Sequence, residues 1–183
     1  MPKEEIITKL IAVFRYYGYE GATVARLSEA TGLKKASLYH HFPGGKEQMA
    51  VAVLEYVSDW ADKQIFAPLQ SERSPKERIL AMTEGLAQFY ESGKAPCLLA
   101  VMSLGEADNL FHQQLKQSLR KWLEELSKVV EETGIGQKEA RLRAESALIA
   151  IQGALVLVRV TNDTQPFERA VSKLSQILLG DLN

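Results

Sequence analysis

Cysteine is almost missing from this 183-residue chain. Cys97 stands alone, so no disulfide can cross-link the chain internally and stability has to come from an apolar core. Low-complexity tracts are missing too, and 12 glycines and 6 prolines without a period exclude collagen-like, mucin-like and linker classes. Neither sign of charge is in excess: 22 Lys and Arg stand against 23 Asp and Glu, for a net charge of −1. A protein that holds nucleic acid or anionic membrane through its bulk field is thereby excluded, and any such partner has to be gripped locally. The apolar residues at the N-terminus are interrupted by Lys3, Glu4, Glu5 and Lys9, so no signal peptide is expected and a cytoplasmic location is. No apolar run reaches the about 20 residues of a membrane span. The nearest candidate, Ala147 to Val160, is broken by Gln152, Gly153 and Arg159. It reads as a helix buried on more than one side inside protein, and no membrane partner is expected.

What remains is ordinary globular composition, 46% hydrophobic and 25% charged, arranged almost entirely at helical spacing. The first helix, about residues 3–17, sets Ile6, Ile7, Leu10, Ile11, Phe14 and Tyr17 on one stripe, and Gly18 supplies a stop. Thr23 is a good N-cap for a second helix to about Ala30, and Thr31-Gly32 ends it. A third runs from about Lys35 to His41 and closes at Phe42-Pro43-Gly44-Gly45. Longer helices follow at roughly 46–66, 75–92, 96–104, 109–132, 137–162 and 166–179, separated at Pro68, Pro75, the Gly93–Pro96 stretch, Gly134–Gly136 and Asn162–Pro166. The expected fold is all-α with about nine helices. Residues 1–47 should form a small N-terminal domain and 48–183 a larger helical one. Charge follows that division, because residues 1–50 carry seven basic side chains against five glutamates while the rest is net acidic.

The stretch from Thr23 to Phe42 has the spacing of a helix-turn-helix. Leu27, Leu33 and Leu38 can converge on the first helix, Ser28 is small enough to let two helices cross closely, and Gly32 suits the left-handed backbone of a tight turn. In this motif the second helix offers its N-terminal side chains to the DNA major groove. Lys34, Lys35, Ser37, Tyr39 and His40 are therefore candidate DNA contacts. The lysines can reach phosphates or a guanine edge, Ser37 can bond base edges, and Tyr39 and His40 can donate to phosphate oxygens. Thr23 opens a helix whose free N–H groups suit one phosphate, Lys46 repeats that arrangement at the start of the fourth helix, and Arg26 is a further phosphate candidate.

The residues Thr-x-x-x-Leu-x-x-x-x-Gly-Leu-x-x-x-x-Leu-Tyr-x-His-Phe, followed by Gly-Lys-Glu, between Thr23 and Glu47 resemble the signature of TetR-type bacterial transcriptional regulators. The resemblance is close over the first 50 residues and extends beyond them by size and helix count. The link from Phe42 to Gln48 is one residue longer than usual, which is similar to the LmrA/YxaF-like branch, and Ser28 stands where many members have alanine. What this implies is a homodimer that binds a palindromic double-stranded operator and, most commonly, represses. Its C-terminal helical domain is implied to dimerise and to hold a small organic effector that releases the DNA.

The residues themselves support a dimer. The 147–160 stretch is apolar nearly all round, and Phe167, Ala170, Val171, Leu174, Ile177 and Leu178 form a stripe. Paired with their copies in a second chain, the helices about 137–162 and 166–179 would make a four-helix bundle. Small residues Ala147, Ala150, Gly153 and Ala154 would permit close approach. For a largely apolar effector the candidate lining is Trp60, Met82, Phe89, Tyr90, Met102, Phe111 and Trp122, with Gln152 among the polar groups, because such pockets are mostly apolar. Other functions are weakly supported. His40 and His41 are adjacent on a helix and so face different sides, with no third metal ligand at a suitable spacing. Gly44-Gly45-Lys46 lacks the spacing of a phosphate-binding loop. Glu106 and Asp108 have no recognisable catalytic partner, and Cys97 reads as an apolar filler. No cofactor or enzymatic activity is expected. The competing reading is a helical dimer that serves as a nonspecific nucleoid or protein-interaction module, without an effector.

Overall fold

A computed structural model describes residues Pro2 to Gly180. Its helices are α1 (Lys3–Gly21), α2 (Val24–Thr31), α3 (Lys35–His41), α4 (Gly45–Ala61), α5 (Ala67–Leu69), α6 (Pro75–Phe89), α7 (Leu98–Met102), α8 (Glu106–Glu131), α9 (Gln137–Thr161), α10 (Gln165–Ser172) and α11 (Leu174–Leu179). A π-helical turn, Asp62–Phe66, joins α4 to α5, and α10 runs into α11 at Lys173. Counting each of those pairs as one rod gives nine among the described residues, and the fold is all-helical.

Two compact units emerge, Met1–Asp59 with Cys97–Leu115 and Trp60–Pro96 with Lys116–Asn183. This cut differs from the 1–47 and 48–183 division expected above. The chain returns to the first unit with α7 and the opening turns of α8, a long-range association that no local pattern announces.

In the first unit Ile6, Leu10 and Phe14 of α1 are fully buried, as are Leu27, Leu38, Phe42 and Met49. Three of the six expected stripe residues thus close on the helix-turn-helix, while Ile7, Ile11 and Leu33 stay half-buried and Tyr17 is exposed. Gly18 leaves helical geometry, with φ 67° and ψ −176°, and the chain then adds a last turn to Gly21 instead of stopping. Far along the chain, Glu20 accepts a 2.6 Å hydrogen bond from the backbone N–H of Glu106. A carboxylate therefore caps α8, which begins three residues earlier than its own sequence suggests.

In the second unit Ile65, Leu69, Ile79, Met82, Leu86, Phe167 and Leu174 form the centre of the core. Helix α6 opens with a capping box in which Ser74 and Glu77 bond each other's backbone N–H, and Pro75 occupies its first turn. Pro68 does not separate helices as expected. It sits in the first turn of α5 behind the π turn, where its missing N–H is not needed. The π turn packs against Gly85, and a Cβ at that position would lie 2.4 Å from the Gln64 carbonyl oxygen. Arg78, almost buried, donates to the Leu69 carbonyl oxygen at 3.0 Å and pairs with Glu132. Helix α6 ends before residue 92, because Glu91 and Ser92 take positive φ values.

Helix α9 corrects the sequence reading most plainly. Its 25 residues match the expected 137–162 closely, yet an 18-residue window reaches a mean hydropathy of 1.5, so the whole helix, unlike the Ala147–Val160 stretch, is enough by length and composition to cross a membrane. Nor is it buried on more than one side within one chain. Ala144, Ala147, Ile151, Ala154, Leu155 and Val158 face inward, whereas Ile149 is 70% exposed and Val160 76%.

Candidate nucleic-acid interface

The candidate surface is built on two local devices. Thr23 is extended and its Oγ1 accepts the backbone N–H of Arg26 at 3.3 Å, which caps α2. Gly32 ends the helix in the left-handed region at φ 70°, a conformation that glycine adopts without Cβ strain. Between them the buried Thr31 hydroxyl donates to the Leu27 carbonyl at 2.7 Å and accepts from the backbone N–H of Leu33. The turn is thus fixed by its own residues, and α3 starts after Lys34 as the spacing predicts.

Leu38 roots α3 in the core, and the opposite side of the helix is open. Lys34, Lys35, Tyr39 and His40 are exposed, while Ser37 is half-buried. Lys35 and Tyr39, four residues apart, share a face. The Lys35 ammonium lies 5.8 Å from the centre of the Tyr39 ring. His40 and His41 rings meet at 5.8 Å with planes inclined at 73°. Among the described residues no three His, Cys, Asp or Glu side chains are grouped as a metal site.

Two further cations flank this helix, and both are already tethered. Arg26 donates from Nη1 to the Gly21 carbonyl oxygen at 2.8 Å, and its guanidinium carbon lies 4.3 Å from the centre of the Tyr17 ring. Lys46 donates to the Tyr19 carbonyl oxygen at 3.0 Å and lies 4.0 Å from the centre of the Tyr19 ring. Lys46 is half-buried, so its ammonium is held in place rather than free in solvent. Gly45 takes φ 68°, and the Tyr39 ring packs so close that a Cβ there would lie 3.3 Å from its Cε1. This seats the end of α3 on the start of α4.

Sequence reasoning missed the residues that hold these cations. Tyr17 was assigned to the buried stripe but is 53% exposed beneath Arg26. Tyr19 is buried between Phe14 and Phe111, and burial, with the nearby carboxylates Glu47, Glu106 and Glu20, pushes its phenol above the ordinary value. Glu20 is held below the usual carboxylate range by hydrogen bonds from its own and the Glu106 backbone N–H groups, with Lys46 adding a smaller effect. Lys3 also lies near the motif, 5.2 Å from the centre of the Phe42 ring. A carbonyl acceptor is not visible in a sequence, and aromatic-cation spacing across helices has no local signature.

The effector candidates divide between the two units. Met102 and Phe111 belong to the first unit, where Phe111 meets Tyr19 edge-on at 5.4 Å. In the second unit Trp60 stacks on Phe89 at 5.0 Å, Phe89 meets Tyr90 at 4.9 Å, and Tyr90 meets Phe167 at 5.8 Å. Trp122 packs on Phe66 instead, at 5.5 Å, while Met82 is buried in the core and Gln152 is half-buried.

Comparison with known proteins agrees with this geometry. Residues 6–53 match bacterial regulatory proteins of the tetR family, and residues 75–173 match the C-terminal domain of LmrA/YxaF-like transcriptional regulators. The HTH-type transcriptional regulator LmrA of Bacillus subtilis is 24% identical over 96% of both chains. A TetR transcriptional regulator from Legionella pneumophila superposes with a TM-score of 0.80 at 25% identity, again over 96% of both chains. AibR, solved in complex with isovaleryl coenzyme A and operator DNA, shares the fold with a TM-score of 0.68 at 17% identity over 98% of both chains. With its capped helix-turn-helix and its matched C-terminal region, the chain belongs to the TetR family of helix-turn-helix transcriptional regulators, which are not enzymes, and carries an LmrA/YxaF-like C-terminal domain.

Proposed function

We propose that the protein is a ligand-responsive repressor that binds a palindromic operator as a homodimer and is released by a small, largely apolar organic effector. The observation that carries the DNA-reading half is the face of α3, where Lys34, Lys35, Tyr39 and His40 stand exposed above a fully buried Leu38. Such a helix can be pushed into a major groove without unfolding anything. Lys35 and Ser37 would read base edges, and Thr23, Arg26, Lys34, Tyr39, His40 and Lys46 would hold phosphates.

The dimer is supported by α9. Ile149, Gly153, Val156, Leu157 and Val160 are exposed at helical spacing, and an apolar groove of about 410 Å³ runs from Ile149, Gly153 and Leu157 to Pro166, Ala170 and Ile177. An uncovered apolar stripe of this kind suits a second copy related by a twofold axis better than water. A twofold pair would offer two α3 helices, which must match successive major grooves about 34 Å apart, or a multiple of that. An effector that favours an arrangement with the wrong spacing would lower operator affinity, with a coupling of about 1–3 kcal/mol. The aromatic run from Trp60 through Phe89 to Tyr90 supports the choice of an apolar ligand class.

Selection of binding sites from random duplexes tests this reading. An inverted repeat is the expected product, and recovery of no consensus would favour the nonspecific nucleoid or protein-interaction module instead. A thermal-shift screen of organic compounds, followed by release of the selected operator, tests the effector half.

A further inference from the structure

We propose that Tyr17 is a positioning residue for DNA binding: its exposed ring is a platform that orients the Arg26 guanidinium to grip a backbone phosphate. This rests on Arg26 being a phosphate contact. The two cations flanking α3 are held by the same pair of devices, a tyrosine ring and a carbonyl oxygen from the last turn of α1. Lys46 has the Tyr19 ring and the Tyr19 carbonyl, and Arg26 has the Tyr17 ring and the Gly21 carbonyl. The turn exists because Gly18, at φ 67°, breaks the helix and redirects the carbonyls that follow.

The two tyrosines differ in what else they do. Tyr19 is 6% exposed and belongs to the core, so its packing alone accounts for its presence. Tyr17 is half exposed, and its one aromatic or charged partner among the described residues is Arg26. A guanidinium has five N–H donors. Donation to Gly21 occupies one of them, and the Tyr17 ring, 4.3 Å from the guanidinium carbon, restrains where the rest can point. Held in this way beside the N-terminus of α2, the fork can accept a phosphate with little further loss of rotamer freedom. An arginine without the platform would lose that freedom on binding.

A labelled random-sequence duplex is the appropriate probe, because a phosphate contact is blind to sequence. In anisotropy titrations of the full chain, Tyr17→Leu should weaken binding about two- to ten-fold per protomer, the cost of immobilising one rotamer-rich side chain on binding. Tyr17→Phe, which keeps the ring, should bind as the parent does. In an Arg26→Ala background, Tyr17→Leu should have no further effect. The thermal midpoint of Tyr17→Phe should stay with the parent, and that of Tyr17→Leu should fall by no more than about 4 °C, the loss of one exposed cation–π contact in a chain of this size. If Arg26→Ala weakens binding and Tyr17→Leu does not, the platform is wrong while the phosphate reading stands. Equal losses for Phe and Leu would place the hydroxyl itself on the DNA, and a loss that persists without Arg26 would make Tyr17 act alone; either result overturns the proposal. If Arg26→Ala binds like the parent, the phosphate reading fails and takes the platform with it.

Discussion

The outer faces of α3 and α9 are both uncovered, yet their chemistry is opposite. On α3, amines, a phenol and imidazoles stand over a buried leucine, whereas on α9 branched aliphatic side chains stand over buried alanines. Water satisfies the first surface and is a poor neighbour for the second. Polar groups on a short, well-rooted helix suit a partner made of phosphates and base edges, which exchanges water for hydrogen bonds. An aliphatic stripe on a 25-residue helix suits a partner that excludes water. Exposure alone therefore says little about function; the side chains that are exposed decide what can cover them.

Breaking the apolar side of this comparison should have the largest effect. Val156→Glu places a charge in the α9 stripe, and sedimentation should show a monomer with unchanged helix content by circular dichroism. Operator affinity should fall by about 100-fold or more, because two half-sites are no longer engaged by one linked pair of readers. A Val156→Glu chain that stays dimeric would remove α9 from the interface.

On the polar side, Lys35→Ala or Ser37→Ala should flatten the preference at particular base pairs by about 1–3 kcal/mol, read from a panel of single-base operator variants. Lys46→Ala should instead weaken every duplex alike. The parent dimer, gripping about three to five phosphates per protomer, should show a log–log salt slope of roughly −5 to −9, and Lys46→Ala should make it shallower by about one per protomer. Unchanged affinity and slope would mean that Lys46 serves only to tie α4 to Tyr19.

What was readable in advance divides along the same line as locality. The cap at Thr23, the left-handed Gly32 and the limits of α3 all rest on residues within a few positions of each other, and all are seen as expected. Long-range partners were not readable. Glu20 caps a helix that begins 86 residues later, and its carboxylate is why α8 starts at Glu106. The π turn that carries the chain through Pro68 is fitted to Gly85, a residue on another helix. The tethers of Arg26 and Lys46 use backbone carbonyls, which every residue has and no sequence pattern marks. The open side of α9 was hidden because its apolar residues circle the helix, so periodicity gives no direction.

The smallest expected effect concerns Glu20. Its carboxyl is held below the ordinary value in the folded chain by backbone N–H donors. The stabilisation is therefore present at neutral pH and is lost as pH falls through the folded value, in the acid range below that of a free glutamate. In denaturant titrations from neutral to acid pH, Glu20→Gln should be less stable than the parent at neutrality, and the gap should close on acidification. A gap independent of pH would show that the charge of Glu20 contributes nothing to the cap.

The most direct test of the α3 surface as the DNA reader is lysine-acetylation footprinting of the full chain, with and without saturating selected operator. Lys34 and Lys35 should become protected, while Lys76 and Lys94, exposed in the second unit, should keep their reactivity. Lys34 and Lys35 that react equally with and without bound operator would contradict the account.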